Sequence, residues 1–228
     1  AVLNPLARLV IYYFAFTLIL AKTQPHYELY LFTGIIIWLF FNEVTKKSMN
    51  VLRAKGYLIQ NLRFNKLSIY YASIISASLG LVINFILYFV VFTVYVLIPS
   101  KELFYTPYVA YLPILLLNVI LLTLALSLLL STIHIYFRDI KHIWDLATVF
   151  LFWTTPIIFG REAIFQYFPK LLNMNPLAGI IINVRRVLLQ GKPPDYFWLV
   201  YDFAYAIVLF AICYYIFQKF SHKAAEIR

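Results

Sequence analysis

The sequence predicts an all-α integral membrane protein: six transmembrane helices, short cytoplasmic coupling helices and re-entrant gate helices on the outer side. Three observations carry this. The 228 residues are 64% hydrophobic and only 12% charged, against about 45–50% and about 25% in a soluble domain. A soluble fold of this size could not hide so much apolar surface. The apolar residues also form continuous runs that approach or exceed the roughly 20 needed to cross about 30 Å of hydrocarbon, without the alternation of a barrel. Finally, basic residues gather between alternate runs, as they do in cytoplasmic loops.

Six runs qualify: 1–21, 29–44, 67–98, 108–135, 143–159 and 197–217. The second and fifth are short; the third is long enough to tilt or to project beyond the bilayer. No internal repeat or low-complexity stretch divides the chain, so 1–228 reads as one transmembrane domain. The first run begins at Ala1 with no amphipathic segment before it, and an N-terminal interface helix is expected to be missing. Arg8, near the cytoplasmic end of that run, is expected to snorkel.

The loops give the orientation. Lys46, Lys47, Arg53, Lys55, Arg63 and Lys66 occupy 45–66 with no acid among them. Arg138, Lys141, Lys219, Lys223 and Arg228 fall on the same side, whereas Lys22 is balanced by Glu28 and Lys101 by Glu102 on the other. The bias puts both termini in the cytoplasm. It also accounts for the net charge of +10 without a nucleic-acid partner.

Between the second and third runs, 50–66 has helical periodicity. Leu52, Leu58, Ile59 and Leu62 share one face, and Arg53, Gly56, Gln60 and Arg63 the other. One or two short surface helices are expected, broken near Gly56. Two readings stand: a basic amphipathic helix on anionic lipid, or a docking surface for a cytoplasmic partner. The turn 136–142 joins the fourth and fifth runs. Its Asp139 is expected to cap the next helix through its carboxylate, and the charged turn is a second candidate contact.

The segment 160–196 is too long for a simple connector. Between Asn175-Pro176 and Gly191 lies a helical pattern of about 14 residues, roughly 21 Å long. Leu177, Ile180, Ile181, Val184 and Leu188 line one face, with Asn183, Arg186 and Gln190 on another. It cannot span. An interfacial or re-entrant helix on the outer side is expected, preceded by a shorter one over 162–172. Non-helical backbone there is tolerable only where it is buried in protein or faces water, which fits a gate or vestibule.

Several chemistries are excluded. The glycines at 34, 56, 80, 160, 179 and 191 include no two spaced for a phosphate loop, so the chain does not hydrolyse ATP by itself. The histidines at 26, 134, 142 and 222 have no metal-ligand spacing. Cys213 stands alone, which rules out a disulfide scaffold. Asp202 and Glu43, the acids nearest the bilayer, form no run suited to a proton or sodium pathway. No catalytic or metal residue is expected. Aromatic residues make up 19% and many belong to interfacial belts. Tyr12, Tyr13, Phe16, Trp38, Phe41, Phe152 and Trp153, from three different runs, have a second reading as the walls of a conduit past which sugar rings or a prenyl chain slide.

The order of short motifs resembles the permease subunits of ABC exporters for lipid-linked polysaccharides, the O-antigen and teichoic acid permeases. Ala1-Val2-Leu3-Asn4-Pro5-Leu6 is similar to that family's opening of the first membrane helix, and Phe137-Arg138-Asp139-Ile140-Lys141-His142-Ile143 to its turn before the fifth. Thr155-Pro156-Ile157-Ile158-Phe159 resembles the end of the fifth helix; Asn175-Pro176-Leu177 and Arg185-Arg186 resemble the outer gate helices. The likeness covers nearly the whole chain. Two departures are the absent interface helix and Asn65 where the family often has Pro after the position of Phe64.

The resemblance implies a homodimer in the cytoplasmic membrane with separate nucleotide-binding ATPase subunits that hold ATP and Mg. It makes Arg53, Lys55, Gly56, Tyr57, Leu58, Gln60, Arg63, Arg138, Asp139 and Lys141 coupling residues. It makes Asn175, Pro176, Asn183, Arg185 and Arg186 outer-gate residues. The expected substrate is a polyprenyl-linked polysaccharide of the O-antigen type. Teichoic acid, a drug or a simple lipid is the alternative cargo, and a polyprenyl-linked glycan transferase or a passive channel the alternative class.

Overall fold

A computed structural model describes residues 6–8, 10–14, 26–54, 66–98, 103–160 and 174–220. Every regular element among them is helical. Helix α1 is Tyr27–Ala54, α2 Lys66–Val96, α3 Leu112–Tyr136, α4 Ile140–Thr154, α5 Pro176–Leu188 and α6 Tyr196–Phe220; a 3-10 turn, Pro107–Tyr111, leads into α3. Residues 6–8 and 10–14 are also helical. The end of the bundle where α1, α3 and α6 begin is called upper, the opposite end lower.

Helix α1 is the centre. All residues from 31 to 41 are buried, as a helix apolar on every side demands. It packs against α2, α3, α4 and α5. Leu115, Val119, Leu122, Ala125 and Leu128 of α3 are buried at helical spacing, and α3 packs on both α1 and α6. Tyr111 and Tyr196 share a hydroxyl contact of 3.1 Å at the upper end, and the Tyr136 hydroxyl donates to the Phe220 carbonyl at 2.9 Å at the lower. These two contacts fix α3 and α6 side by side and parallel over their full length. The outer faces of α2 and α6 carry exposed apolar residues such as Ile75, Leu79, Val90, Val200 and Ile212, which suits contact with lipid tails.

Four helices are long and apolar enough to cross a bilayer: Tyr27–Val51, Leu67–Val96, Pro107–Tyr136 and Tyr196–Phe220. The 31 residues of α2 reach about 46 Å, the overlong third run of the sequence. The expected fifth span is shorter than foreseen. Its helix α4 has 15 residues, about 22 Å, because Pro156 cannot continue the helix and holds Thr155 before it in an extended backbone, φ −91° and ψ 138°. Most of the expected first span, with Phe16, and the short helix expected over 162–172 lie outside the described residues.

Two expectations are corrected. Residues 50–54 are not the start of a separate surface helix but the end of α1. The helix passes through its polar stretch because Thr45 and Ser48 donate to their own helix at the carbonyls of Phe41 and Thr45. Lys46 also pairs with Asp145 of α4 at 2.7 Å, and the Trp144 indole donates to the Thr45 hydroxyl at 3.1 Å. Asp139 does precede α4, but its carboxylate caps nothing. Its φ/ψ of −72°/−9° is helical, whereas a capping side chain needs an extended backbone. The backbone carbonyl of Asp139 does the work instead, accepting from His142 and Ile143.

Candidate functional site

The densest polar assembly joins three elements at the upper end: the start of α1, the turn after α4, and α5. It is built from α5 outward. Pro176 takes the first helical position, where its missing N–H is no loss. Asn175 caps the helix with an extended backbone and accepts from Leu177 N at 3.1 Å. Its amide also donates to the Thr155 hydroxyl at 2.8 Å, so one side chain both starts α5 and ties it to the end of α4. Asn175→Ala is expected to lower stability by about 1–2 kcal/mol, measured by thermal unfolding in detergent.

Arg185 is the hub. It is 3% exposed, and it pairs with no carboxylate among the described residues. Its Nε donates to the Tyr30 carbonyl at 3.1 Å and the Thr33 hydroxyl at 3.3 Å; Nη2 donates to the carbonyls of Tyr30 and Ile157, both at 2.9 Å. Nη1 donates to the Pro156 carbonyl. The guanidinium carbon lies 3.4 Å from the centroid of the Tyr30 ring, a cation–π contact whose worth grows when water is excluded. Carbonyl dipoles and a ring face thus replace the water this charge has lost. Gly34 makes room: a Cβ there would stand 2.7 Å from Nη2 and 3.3 Å from Ile157 Cα.

The turn after α4 is held residue by residue. Thr155 receives Asn175, and Pro156 and Ile157 receive Arg185. The Tyr27 hydroxyl donates to the Ile158 carbonyl at 3.5 Å, and the Tyr30 hydroxyl to the Phe159 carbonyl at 3.0 Å. Five successive residues of non-helical chain therefore have side-chain partners from α1, α5 or its cap, four of them, 156–159, through the backbone carbonyl, as buried backbone requires.

The expected gate residues are present but several face inward. Asn183 is 1% exposed; its amide brackets the backbone of Asp195, accepting from N at 2.8 Å and donating to O at 3.5 Å. The Arg186 Nε donates to the Pro193 carbonyl at 2.6 Å. Both hold the return loop to α6, which turns at Gly191 with φ +59°. Asn175, Pro176 and Arg185 join the knot just described.

Part of the expected aromatic set is also brought together. The ring of Phe152 lies 5.7 Å from Tyr12, 5.5 Å from Trp38 and 5.7 Å from Trp153, and Trp38 is 5.9 Å from Phe41. Trp38 and Phe41 are buried, Tyr12 and Phe152 half-buried, and Trp153 is 50% exposed. The Tyr13 hydroxyl donates to Glu28 at 3.2 Å. At the lower end Arg138, Asp139 and Lys141 are exposed. Arg53 sits on the last turn of α1, while Lys55, Gly56, Tyr57, Leu58, Gln60 and Arg63 lie outside the described residues. Between the lower halves of α1 and α2 runs a cleft of about 730 Å³, lined by Phe40, Glu43 and Lys47 on one wall and Ser73, Ser76 and Gly80 on the other.

Sequence reasoning missed Tyr27, Tyr30, Thr33 and Gly34, whose part in the knot depends on contacts to residues more than a hundred positions away. The one signal was Arg185 itself, a charge beside the apolar stripe of a short helix.

The profile of the ABC-2 type transporter family matches residues 1–189. Two proteins of Klebsiella pneumoniae, each named O-antigen export system permease protein RfbA, are 26% and 25% identical over 227 and 228 residues, all of this chain and 85% of theirs. A Myxococcus xanthus protein of the same name is 23% identical over 226 residues, 98% of this chain and 85% of its own.

Proposed function

The chain belongs to the ABC-2 type transporter family, and from that membership we propose that it is the membrane permease subunit of an ATP-driven exporter. Its cargo is a polyprenyl-linked polysaccharide of the O-antigen type, moved outward across the cytoplasmic membrane. The observation that carries this reading is the end-to-end similarity to three permeases named for O-antigen export. The chain has no phosphate loop, so ATP and Mg belong to a separate nucleotide-binding subunit. Two copies of the permease complete the translocation path.

The lower end is cytoplasmic, because Lys46, Lys47, Lys66, Arg138, Lys141 and Lys219 gather there. Arg53 and the turn 138–141 then face the ATPase, whose nucleotide cycle biases the permease between closed and open states; 55–63, outside the described residues, are assigned to the same coupling surface by the resemblance. The knot around Arg185 lies at the outer end, beside the exit. Tyr12, Tyr13, Phe152 and Trp153, with Phe16, are the aromatic residues that meet the moving glycan, and Trp38 and Phe41 back them. Flat ring faces offer contact without imposing a hydrogen-bond register on the substrate, which suits a chain that must keep sliding.

The two aromatic groups separate in an experiment. Trp153→Leu is expected to lower export several-fold with the thermal midpoint unchanged, since the ring is half open. Trp38→Leu, in the packed interior, is expected to lower stability by about 2–3 kcal/mol and export only in step with folded protein. Equal effects of both on folded yield would remove the conduit assignment. The function itself is tested in vesicles containing the permease and its ATPase subunit. ATP-dependent transfer of a labelled polyprenyl-diphosphate glycan to the far leaflet is the expected result. Sugar transfer without ATP, or ion conductance from the permease alone, would replace this reading with a transferase or a channel.

A further inference from the structure

Asp202 is the one buried acid among the described residues, at 2% exposure. It stands on α6, near the upper end, and neither of its carboxylate oxygens has a hydrogen-bond partner among them. The carboxylate fills the space beside the first turns of α5: a Cβ on Gly179 would lie 2.3 Å from Oδ2 and 2.7 Å from Oδ1. That helix offers it no free donor there. Pro176 has no N–H, the Leu177 amide is taken by the Asn175 side chain, and the Ala178 amide by the Asn175 carbonyl.

The other helix packed on α6 is α3. The end-to-end pairs Tyr111–Tyr196 and Tyr136–Phe220 put residues 117 and 118 of α3 level with Asp202. Asn118 is uncharged, 0% exposed, and its own amide has no partner among the described residues. The remaining polar groups of the α5 face, Asn183 and Arg186, are engaged by the return loop, and Arg185 by the knot with α1. A carboxyl group in this position is unfavourable in either protonation state, because it is buried and no polar group among the described residues takes the place of water.

Resting on the export reading above, we infer that Asp202 is a positioning residue acting through α5: it pushes the short helix away from its closed seat, and Gly179 is the bare surface it pushes on. The knot at Arg185 holds α5 in place; Asp202 weakens the opposite side. When α5 lifts, water reaches the carboxylate and the penalty disappears. Strain kept at a moving element in this way lowers resting stability in exchange for function.

The inference predicts an unusual pairing, higher stability with slower transport. The variants are Asp202→Ala, Gly179→Ala and the double variant, each in the complex with the ATPase subunit. Gly179→Ala alone is expected to lose folded protein through the collision with the carboxylate. The double variant removes the carboxylate and fills its space with a methyl. It is expected to fold, to melt about 3 °C above wild type, and to export about tenfold more slowly. Asp202→Cys in a Cys213→Ser background adds a direct readout. An impermeant thiol reagent applied outside is expected to label it during ATP turnover and not at rest.

A double variant that exports at the wild-type rate, or that loses stability and export in proportion, would overturn the inference. So would labelling that ignores ATP. If wild-type complex moves no lipid-linked glycan while labelling still follows ATP, the cargo assignment fails and the role of Asp202 stands.

Discussion

Replacing Arg185 by methionine is expected to destroy the upper end of the bundle. The side chain supplies hydrogen bonds to three backbone carbonyls, those of Tyr30, Pro156 and Ile157, and to the Thr33 hydroxyl. Methionine keeps the hydrocarbon stem and removes every donor. The Tyr30 carbonyl keeps the Thr33 hydroxyl as a donor, but those of Pro156 and Ile157 lose theirs. Each carbonyl left buried without a partner costs about 1–3 kcal/mol, so the loss is at least about 2 kcal/mol, a substantial share of the 5–15 kcal/mol that holds a typical native domain. Folded yield in detergent should collapse, with the thermal midpoint of any survivor far below wild type. Arg185→Lys is expected to recover little, because one ammonium cannot reach carbonyls on both α1 and the turn after α4 as a planar fork does. A methionine variant that purifies and melts like wild type would show that the knot is incidental to the fold.

The opposite outcome is expected at the lower end. Arg138 and Asp139 are exposed, and neither takes part in the ion pairs found at that end among the described residues, Lys46–Asp145 and Lys47–Glu43. Exposed substitutions of this kind usually stay within about 0.5 kcal/mol, so the double variant Arg138→Ala, Asp139→Ala should insert and melt normally. Export is nevertheless expected to fall at least tenfold, with loss of the permease's stimulation of ATP hydrolysis, because a turn that docks the ATPase acts through its surface alone. Unchanged export and unchanged stimulation would take this turn out of the coupling surface.

Much of the architecture is local and was therefore legible. Apolar run length foretold α2, α3 and α6, and Pro176 and Gly191 bracket α5 because their backbone chemistry acts at the site itself. What escaped depends on distant partners. The sequence at 45–54 is polar enough to look like a loop, yet Lys46 finds Asp145 and Trp144 finds Thr45 only once α4 is packed beside it. Asn183 falls on the polar face of α5 by periodicity, but the return loop closes over it and supplies Asp195 as a backbone partner. Arg185 matched an outer-gate motif, while its carbonyl partners are turned toward it by a proline-ended helix and by the start of α1. Periodicity assigns a face to a helix; it does not say what will cover that face.

The 28 residues of α1 form a rod about 42 Å long, unbroken by proline or by any change of helix type. Its upper end carries the seat of Arg185, and its lower end carries Lys46, clasped to Asp145. A push or twist on one end therefore arrives at the other as the movement of a single lever, with no hinge between to absorb it. Phase along such a lever is as consequential as composition. One residue inserted anywhere in 36–43 would rotate everything below by about 100°. Lys46 would swing away from Asp145 while Gly34 and Tyr30 stayed under the guanidinium, and two ends that now answer to each other would turn independently.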